Sequence, residues 1–193
     1  MTDRTADTRE RLLDAATDLV ARGGYHGTGM NAVLGASGVP NGSLYHHFPG
    51  GKDELIAASI RRTGAASCEQ IAAALDGGVE AAVRSMFGFT AARLRRDRYE
   101  AGCRIATPLA DAAPEAEAVR RSAVEAFDSW AEVIAERLVT DGWDRRSARA
   151  TAGTLVALLQ GALLLARGQR STRPLDDALD AALDLVAARA PAP

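Results

Sequence analysis

Cysteine, lysine and aromatic residues are all scarce in this chain of 193 residues. Its two cysteines, Cys68 and Cys103, are too few for a disulfide framework or a paired-cysteine zinc site. Phe, Tyr and Trp make up only 5% of the chain, and because strands favour aromatic and β-branched residues, this scarcity argues against a sheet-dominated fold. Alanine, in contrast, occurs 41 times, and alanine favours helices. The composition therefore predicts an all-α protein.

The chain also lacks the sequence patterns of common catalytic and metal sites. It has no nucleophile elbow of the Gly-x-Ser-x-Gly type and no phosphate-binding P-loop. Its three histidines, His26, His46 and His47, have no carboxylate or second histidine at the spacing of a helical metal site. We therefore expect no enzymatic activity, no metal centre and no cofactor.

Apolar runs long enough to cross a membrane are missing too. The longest extends from Thr154 to Ala166, about 13 residues that include Gln160, whereas a membrane-spanning helix needs about 20. The N-terminal residues do not contain the apolar core of a signal peptide. We expect a cytoplasmic protein without a membrane span.

Charge is distributed unevenly, although the net charge is only −2. No Asp or Glu occurs among the 34 residues between Asp18 and Asp53. Carboxylates would be repelled by DNA phosphates, whereas neutral side chains and backbone N–H groups supply most positioning contacts to DNA. The gap therefore favours an anionic partner such as DNA for this part of the chain. Lys52, at the end of the gap, is the only lysine beside 22 arginines.

Apolar residues recur at helical spacing through most of the chain. Near the N-terminus, Thr28 is predicted to cap one short helix and Pro40 to open another, with a turn at Gly38 between them. Two short helices joined by a glycine-containing turn are typical of a helix-turn-helix unit. Helices are predicted near residues 7–22, 28–36, 41–48, 52–75, 79–96, 114–138, 144–167 and 174–189.

The run from Ala36 to Leu55, ASGVPNGSLYHHFPGGKDEL, closely resembles the signature of the TetR family of bacterial transcriptional regulators. The likeness begins upstream, at Leu13 and at Gly24-Tyr25, and covers roughly residues 8–60. The doubled glycine before Lys52, together with later segments around residues 102–108, resembles the LmrA/YxaF-type subgroup. The chain departs from the family pattern at Leu34, Ser37 and Pro40.

This resemblance implies an all-α homodimer of about nine helices per subunit. It implies a DNA-binding domain over residues 6–66 and an effector-binding and dimerisation domain over residues 67–190. Such proteins mostly repress transcription and release a palindromic operator in double-stranded DNA when a small lipophilic effector binds. Two alternatives stay open: an activator or protein-controlled regulator on the same fold, and a helical small-molecule-binding protein that no longer binds DNA.

The resemblance also implies roles for residues near the helix-turn-helix. The Tyr45 hydroxyl and the Lys52 ammonium would bind phosphate, and Asn41 and His46 would read base edges. The alternatives are packing for Tyr45, capping for Asn41, and solvent exposure for His46 and Lys52. The expected DNA-binding residues are Thr28, Asn41, Gly42, Ser43, Tyr45, His46 and Lys52.

Thr28 and Gly42 are expected to contribute in different ways. Thr28 would cap its helix while offering its hydroxyl to phosphate. Gly42 would allow a close approach either to DNA or to the preceding short helix.

In the C-terminal domain, apolar residues are expected to line an effector pocket, with plain core as the alternative for each. The predicted lining is Met86, Phe87, Cys103, Phe127, Trp130, Leu159, Gln160 and Leu163. Small and apolar residues on the last two helices would allow close packing between two subunits. The predicted dimer interface is Gly153, Ala157, Gly161, Leu179, Leu183 and Val186.

Overall fold

A computed structural model describes the backbone of residues 2–190 and the side chains from residue 7 to residue 190. Over these residues the chain forms nine helices and no strand, which confirms the predicted all-α fold. The helices are α1 (Thr2–Gly23), α2 (Met30–Ser37), α3 (Asn41–His47), α4 (Gly51–Leu75), α5 (Val79–Arg96), α6 (Ala106–Ala110), α7 (Glu117–Thr140), α8 (Arg145–Gln169) and α9 (Arg173–Arg189). The first helix begins five residues earlier than the predicted start at Asp7.

Backbone contacts divide the chain into two compact units. The N-terminal unit contains residues 1–64 and 103–126, and the C-terminal unit contains residues 65–102 and 127–193. This division differs from the predicted boundary, because residues 103–126 group with the N-terminal segment rather than with the rest of the C-terminal half. Helices α4 and α7 each contribute to both units.

The core of the N-terminal unit is built by α1, α2, α3 and the first half of α4. Leu44, on the inner face of α3, and Phe48, the residue that follows this helix, are buried in it, as predicted. Burial of a leucine or phenylalanine side chain contributes roughly 1.5–3 kcal/mol to folding. The buried cluster contains Leu12, Leu13, Ala16, Val33, Val39, Leu44, Phe48, Leu55 and Ala58.

The segment 103–126 is held to the N-terminal unit by polar contacts. The Asp111 carboxylate accepts hydrogen bonds from the backbone N–H groups of Tyr25, at 2.7 Å, and His26, at 3.0 Å. Arg104 forms an ion pair with Asp18 of α1 at 3.1 Å. These contacts fix the turn that follows α1.

In the C-terminal unit, α8 packs against α9, and both contact α5. Asp144 caps α8 by accepting hydrogen bonds from the backbone N–H groups of Arg146 and Ser147. A hydrogen bond with the Ser147 side chain, followed by these backbone bonds, lowers the pKa of the Asp144 carboxyl group. By length and composition α8 is apolar enough to cross a membrane, but 44% of the apolar window lies buried inside the protein. A core helix of a soluble protein passes the same test, so this is weak evidence for a span.

Candidate functional site

The turn between α2 and α3 sets the angle at which α3 is presented. Gly38 ends α2 in the left-handed conformation, with φ of 62°, and its N–H donates to the Leu34 carbonyl. The Ser37 hydroxyl donates to that same carbonyl, and Arg11 of α1 donates to the Ser37 carbonyl at 2.6 Å. Ser37, a departure from the family pattern, is thus accommodated by bonds within the turn.

The outer face of α3 is polar and open. Tyr45 is 61% exposed, and Asn41 and His46 are exposed beside it, while Ser43 is half-buried. Pro40 precedes α3 with φ of −59°, close to its preferred value, so the helix begins normally without a side-chain cap. The structure therefore brings four of the predicted DNA-binding side chains together on one short helix.

Thr28 does not act as predicted. The helix cap of α2 is Gly29, and the Thr28 hydroxyl instead donates to the Gly24 carbonyl at 2.7 Å. Because Thr28 is only 1% exposed, its hydroxyl is not available to a phosphate in this conformation. The sequence Thr28-Gly29 left the choice open, since both residue types serve as helix caps.

Gly42 has open space around it. A Cβ atom placed there would meet no other atom within 4 Å, so Gly42 does not serve a close approach to α2. The sequence offered two reasons for a glycine here, a close approach to α2 or a close approach to DNA. Only the approach to DNA stays a prediction.

Lys52 lies at the start of α4, where its ammonium sits 4.4 Å from the centre of the Tyr25 ring. The Tyr25 hydroxyl donates to Asp53 at 2.5 Å, and this hydrogen bond, with burial, raises the pKa of Tyr25 to about 12. Tyr25 therefore stays neutral at any physiological pH. Sequence reasoning missed the roles of Tyr25 and Asp53, because they depend on contacts between distant positions.

Two carboxylates of α1 are paired with an arginine of α4. Arg62 of α4 bridges Glu10, at 2.6 Å, and Asp14, at 2.7 Å, on α1. The window between Asp18 and Asp53 contributes no negative side chain. The α3 face can therefore approach a polyanion without carboxylate repulsion from its own helix.

Two family models match this chain in regions that agree with this geometry. The model described as bacterial regulatory proteins, tetR family, matches residues 12–59. The model described as the C-terminal domain of LmrA/YxaF-like transcriptional regulators matches residues 79–181. The chain belongs to the TetR family of transcriptional regulators. The resemblance seen in the sequence is confirmed, down to the LmrA/YxaF-like type.

Relatives agree with this membership, and a solved structure has the same fold. An uncharacterized HTH-type transcriptional regulator of Mycobacterium tuberculosis is 35% identical over 87% of this chain and 88% of its own length. The HTH-type transcriptional regulator LmrA of Bacillus subtilis is 30% identical over 88% of this chain and 91% of its own length. The crystal structure of reduced Escherichia coli NemR has the same fold, with a TM-score of 0.80 at 24% identity over 93% of this chain and 97% of that one.

The C-terminal unit of this TetR-family chain contains a cavity of about 460 Å³. It lies among α4, α5, α7 and α8, and its lining has apolar side chains with four neutral polar ones. No Asp, Glu, Lys or Arg is part of that lining. The lining residues are Ser67, Gln70, Ile71, Ala73, Ala74, Ser85, Met86, Phe89, Thr90, Trp130 and Leu159.

Three of the eight residues predicted to line a pocket, Met86, Trp130 and Leu159, line this cavity. Phe127 packs against the lining residue Trp130, with the two rings edge to face and their centres 5.3 Å apart. Cys103 groups with the N-terminal unit, and its sulfur accepts a hydrogen bond from the Ile105 N–H. Phe87, Cys103, Phe127, Gln160 and Leu163 are not part of this lining.

Phe89 was missed, although the sequence carried a signal for it. Along α5 the buried residues recur at Val79, Val83 and Phe87 and their neighbours, and Phe89 lies outside that stripe, 55% exposed at the cavity. The signal was an aromatic residue that lies off the buried stripe of an amphipathic helix and is therefore not accounted for by the core.

Between residues 150 and 165 the exposed face of α8 is uncharged. Gly153, Ala157 and Gly161, all predicted to lie at a dimer interface, are exposed along one stripe of the helix. Leu164 and Leu165, which were not predicted, extend the stripe with exposures of 70% and 57%.

The predicted interface residues on α9 are less exposed to solvent than those on α8. Leu179 and Leu183 are half-buried. Val186 is buried inside its own unit, so it does not fit the predicted contact with a partner subunit.

Proposed function

We propose that this regulator is a dimeric repressor that binds a palindromic DNA operator through α3 and releases it when an uncharged lipophilic molecule enters the cavity of the C-terminal unit. The observation that carries the proposal is the open, polar and carboxylate-free face of α3. The protein would act in the cytoplasm, where its operator lies, and the proposal assigns it no catalytic step.

Contacts to DNA would come from two places in the N-terminal unit. From α3, the Tyr45 hydroxyl would donate to a phosphate oxygen, while Asn41 and His46 offer hydrogen-bonding groups that can read base edges in the major groove. From the start of α4, the Lys52 ammonium would add a charge contact to the backbone. Thr28 is left out of this set, because its hydroxyl is buried.

The α8 stripe supports pairing of two subunits. Its glycine and alanine positions let another helix approach closely, and Leu164 and Leu165 provide apolar area that water would otherwise cover. A symmetric dimer would present two α3 helices about 34–36 Å apart, one turn of DNA, which is why the operator should be palindromic.

The cavity supports an uncharged effector. A buried charge without a partner is strongly unfavourable, and no charged side chain of the lining could compensate one. The four neutral polar groups, on Ser67, Gln70, Ser85 and Thr90, can give or accept hydrogen bonds. Trp130 and Phe89 offer aromatic faces to a flat ring.

DNA binding is tested by fluorescence anisotropy with labelled promoter DNA that flanks the protein's own gene, in a salt series. We expect specific binding that weakens as salt rises, and Lys52→Gln should reduce the log–log salt slope by about two, one for the Lys52 of each subunit. Binding no tighter than to scrambled DNA at low salt would contradict the proposal.

The effector class is tested with two dyes that differ by one charge, neutral N-phenyl-1-naphthylamine and its anionic relative 8-anilino-1-naphthalenesulfonate. The chain has two tryptophans, of which Trp130 lines the cavity and Trp143 does not. We expect the neutral dye to quench tryptophan emission strongly in wild type and in Trp143→Phe, and clearly less in Trp130→Phe, because Trp130 is the tryptophan in contact with the cavity. Equal or tighter binding of the sulfonate would contradict an uncharged effector.

A further inference from the structure

Lys52 is held in place by an aromatic ring. Its ammonium lies 4.4 Å from the ring centre of Tyr25, within the range of a cation–π interaction. A lysine side chain has a flexible stem of four carbons, and a free one would lose much rotamer freedom on binding a phosphate. The Tyr25 ring restricts that freedom before DNA arrives, because it favours positions of the ammonium above its face.

Tyr25 is itself fixed at two ends. Its hydroxyl donates to Asp53 at 2.5 Å, and its backbone N–H donates to Asp111 at 2.7 Å. Asp111 can come this close only because residue 24 is a glycine. A Cβ atom at Gly24 would lie 2.6 Å from the Asp111 carboxylate oxygens.

Asp111 lies in the segment 103–126. It is 86 positions along the chain from Tyr25. The carboxylate accepts from two successive N–H groups, those of Tyr25 and His26, and hydrogen bonds to an ionised acceptor are stronger than neutral ones. The turn after α1 therefore takes its position from Asp111.

We propose that Tyr25 is a positioning residue for Lys52, and that Asp111 anchors Tyr25, so that the segment 103–126 sets where the only lysine of the chain meets DNA. The effect on DNA affinity rests on the proposed function. The placement of Lys52 does not, and it can be measured without DNA.

The placement is measured by NMR after reductive methylation with ¹³C-formaldehyde. Because Lys52 is the only lysine, the protein should give one dimethyl-lysine signal beside that of the terminal amine, and Lys52→Arg identifies it by its loss. Dimethylation keeps the positive charge. An ammonium above the Tyr25 ring should resonate upfield of its position in urea-denatured protein. Coincidence of the folded and denatured positions would overturn the proposal, whatever the variants do.

Variants test the contribution of the Tyr25 ring separately from those of its hydroxyl and of Asp111. Tyr25→Leu should move the signal to the denatured position, and Tyr25→Phe, which keeps the ring but not the hydroxyl, should retain most of the upfield shift. Asp111→Asn should move the signal part of the way, because an amide has only one acceptor oxygen for two N–H groups. The matched control Asp128→Asn, at an exposed position of α7, should leave it in place. An unchanged signal in Asp111→Asn would refute the anchoring role.

Operator binding then shows whether the placement matters. We expect Tyr25→Leu to weaken binding about threefold in the wild-type background, the scale of an exposed cation–π contact, and to have no further effect in Lys52→Gln. Equal effects in both backgrounds would mean that Tyr25 does not act through Lys52. If wild type shows the upfield signal but binds no operator, the repressor proposal fails while the placement of Lys52 stands.

Discussion

Two parts of this chain lack carboxylates, and they expose very different surfaces. One is the window of 34 residues between Asp18 and Asp53, and the other is the window of 31 residues between Asp144 and Asp176. The first contains the helix-turn-helix, and the second contains α8. Both windows are free of negative side chains, so this shared absence cannot by itself identify a DNA-binding surface.

The difference lies in what each window exposes. On α3 the open residues are polar, with Tyr45 and His46 among them, and a polar neutral face can exchange its water for phosphate oxygens and base edges. On α8 the exposed residues between 150 and 165 are Leu164, Leu165 and small uncharged ones, a face suited to another apolar surface. Exposure and polarity together, rather than charge alone, separate a face for DNA from a face for a second subunit.

The largest loss of operator affinity should follow from a charge placed on α8. Leu164→Glu adds a carboxylate at a position that is 70% exposed in the single chain, so the subunit should fold normally. In a symmetric dimer two such charges would be buried close together, and like charges at an interface cost several kcal/mol. We expect a monomer by sedimentation velocity and operator affinity lower by about 100-fold or more.

The matched control for that variant is Val124→Glu. Val124 is an exposed apolar residue on α7 in the N-terminal unit, so its replacement adds the same charge away from α8. We expect a normal dimer. A dimeric Leu164→Glu protein with wild-type operator affinity would remove α8 from the proposed interface.

A charge placed on α3 should leave the dimer intact and weaken DNA binding. Asn41→Asp replaces an amide nitrogen with an anionic oxygen at the first residue of α3. A carboxylate there favours the helix itself, by about 0.3–1 kcal/mol, but repels phosphate. We expect an unchanged or higher melting temperature and an operator affinity lower by roughly tenfold. The loss should shrink as salt rises, and a salt-independent loss would point to base reading instead.

Removing a single hydroxyl oxygen from α3 should have a smaller effect on operator binding. Tyr45→Phe deletes one exposed hydroxyl in each subunit and should weaken operator binding by about tenfold or less, which is about 0.7 kcal/mol for each hydroxyl and within the range of an ordinary hydrogen bond. Tyr99→Phe makes the same deletion in the C-terminal unit and should bind like wild type. Wild-type affinity of Tyr45→Phe across a salt series would rule out the phosphate contact.

The sequence predicted most of the helices because apolar spacing is a local property. Helix α5 was predicted at both of its bounds, Val79 and Arg96, since a glycine pair precedes it and its apolar stripe is regular. The start of α1 was wrong because acidic residues at Asp7 and Glu10 resemble a capping box, although the helix begins earlier.

The site was less predictable where it depends on distant residues. Tyr25 lies 28 positions from Asp53 and 86 from Asp111, and no local pattern links them. The cavity was predicted in part, because Trp130 stood out as a large apolar anchor. The neutral polar lining was not, because a serine such as Ser67 or Ser85 on a helix looks like an ordinary surface residue until neighbouring helices are placed.

The smallest predicted effect is on stability, which should depend on pH through His47. Burial, followed by the charges of His46 and Arg9, lowers the pKa of His47 below its usual value. The unfolded chain therefore takes up a proton on His47 more readily, so its contribution to stability is complete above pH 6.5 and is lost as the pH falls through the folded pKa. We expect the melting temperature of wild type minus that of His47→Gln to be constant above about pH 7 and to decrease toward about pH 5. The decrease should be small, because His47 is only half-buried at the end of α3. A difference that stays constant over the whole range would mean that protonation of His47 does not alter the stability of the protein.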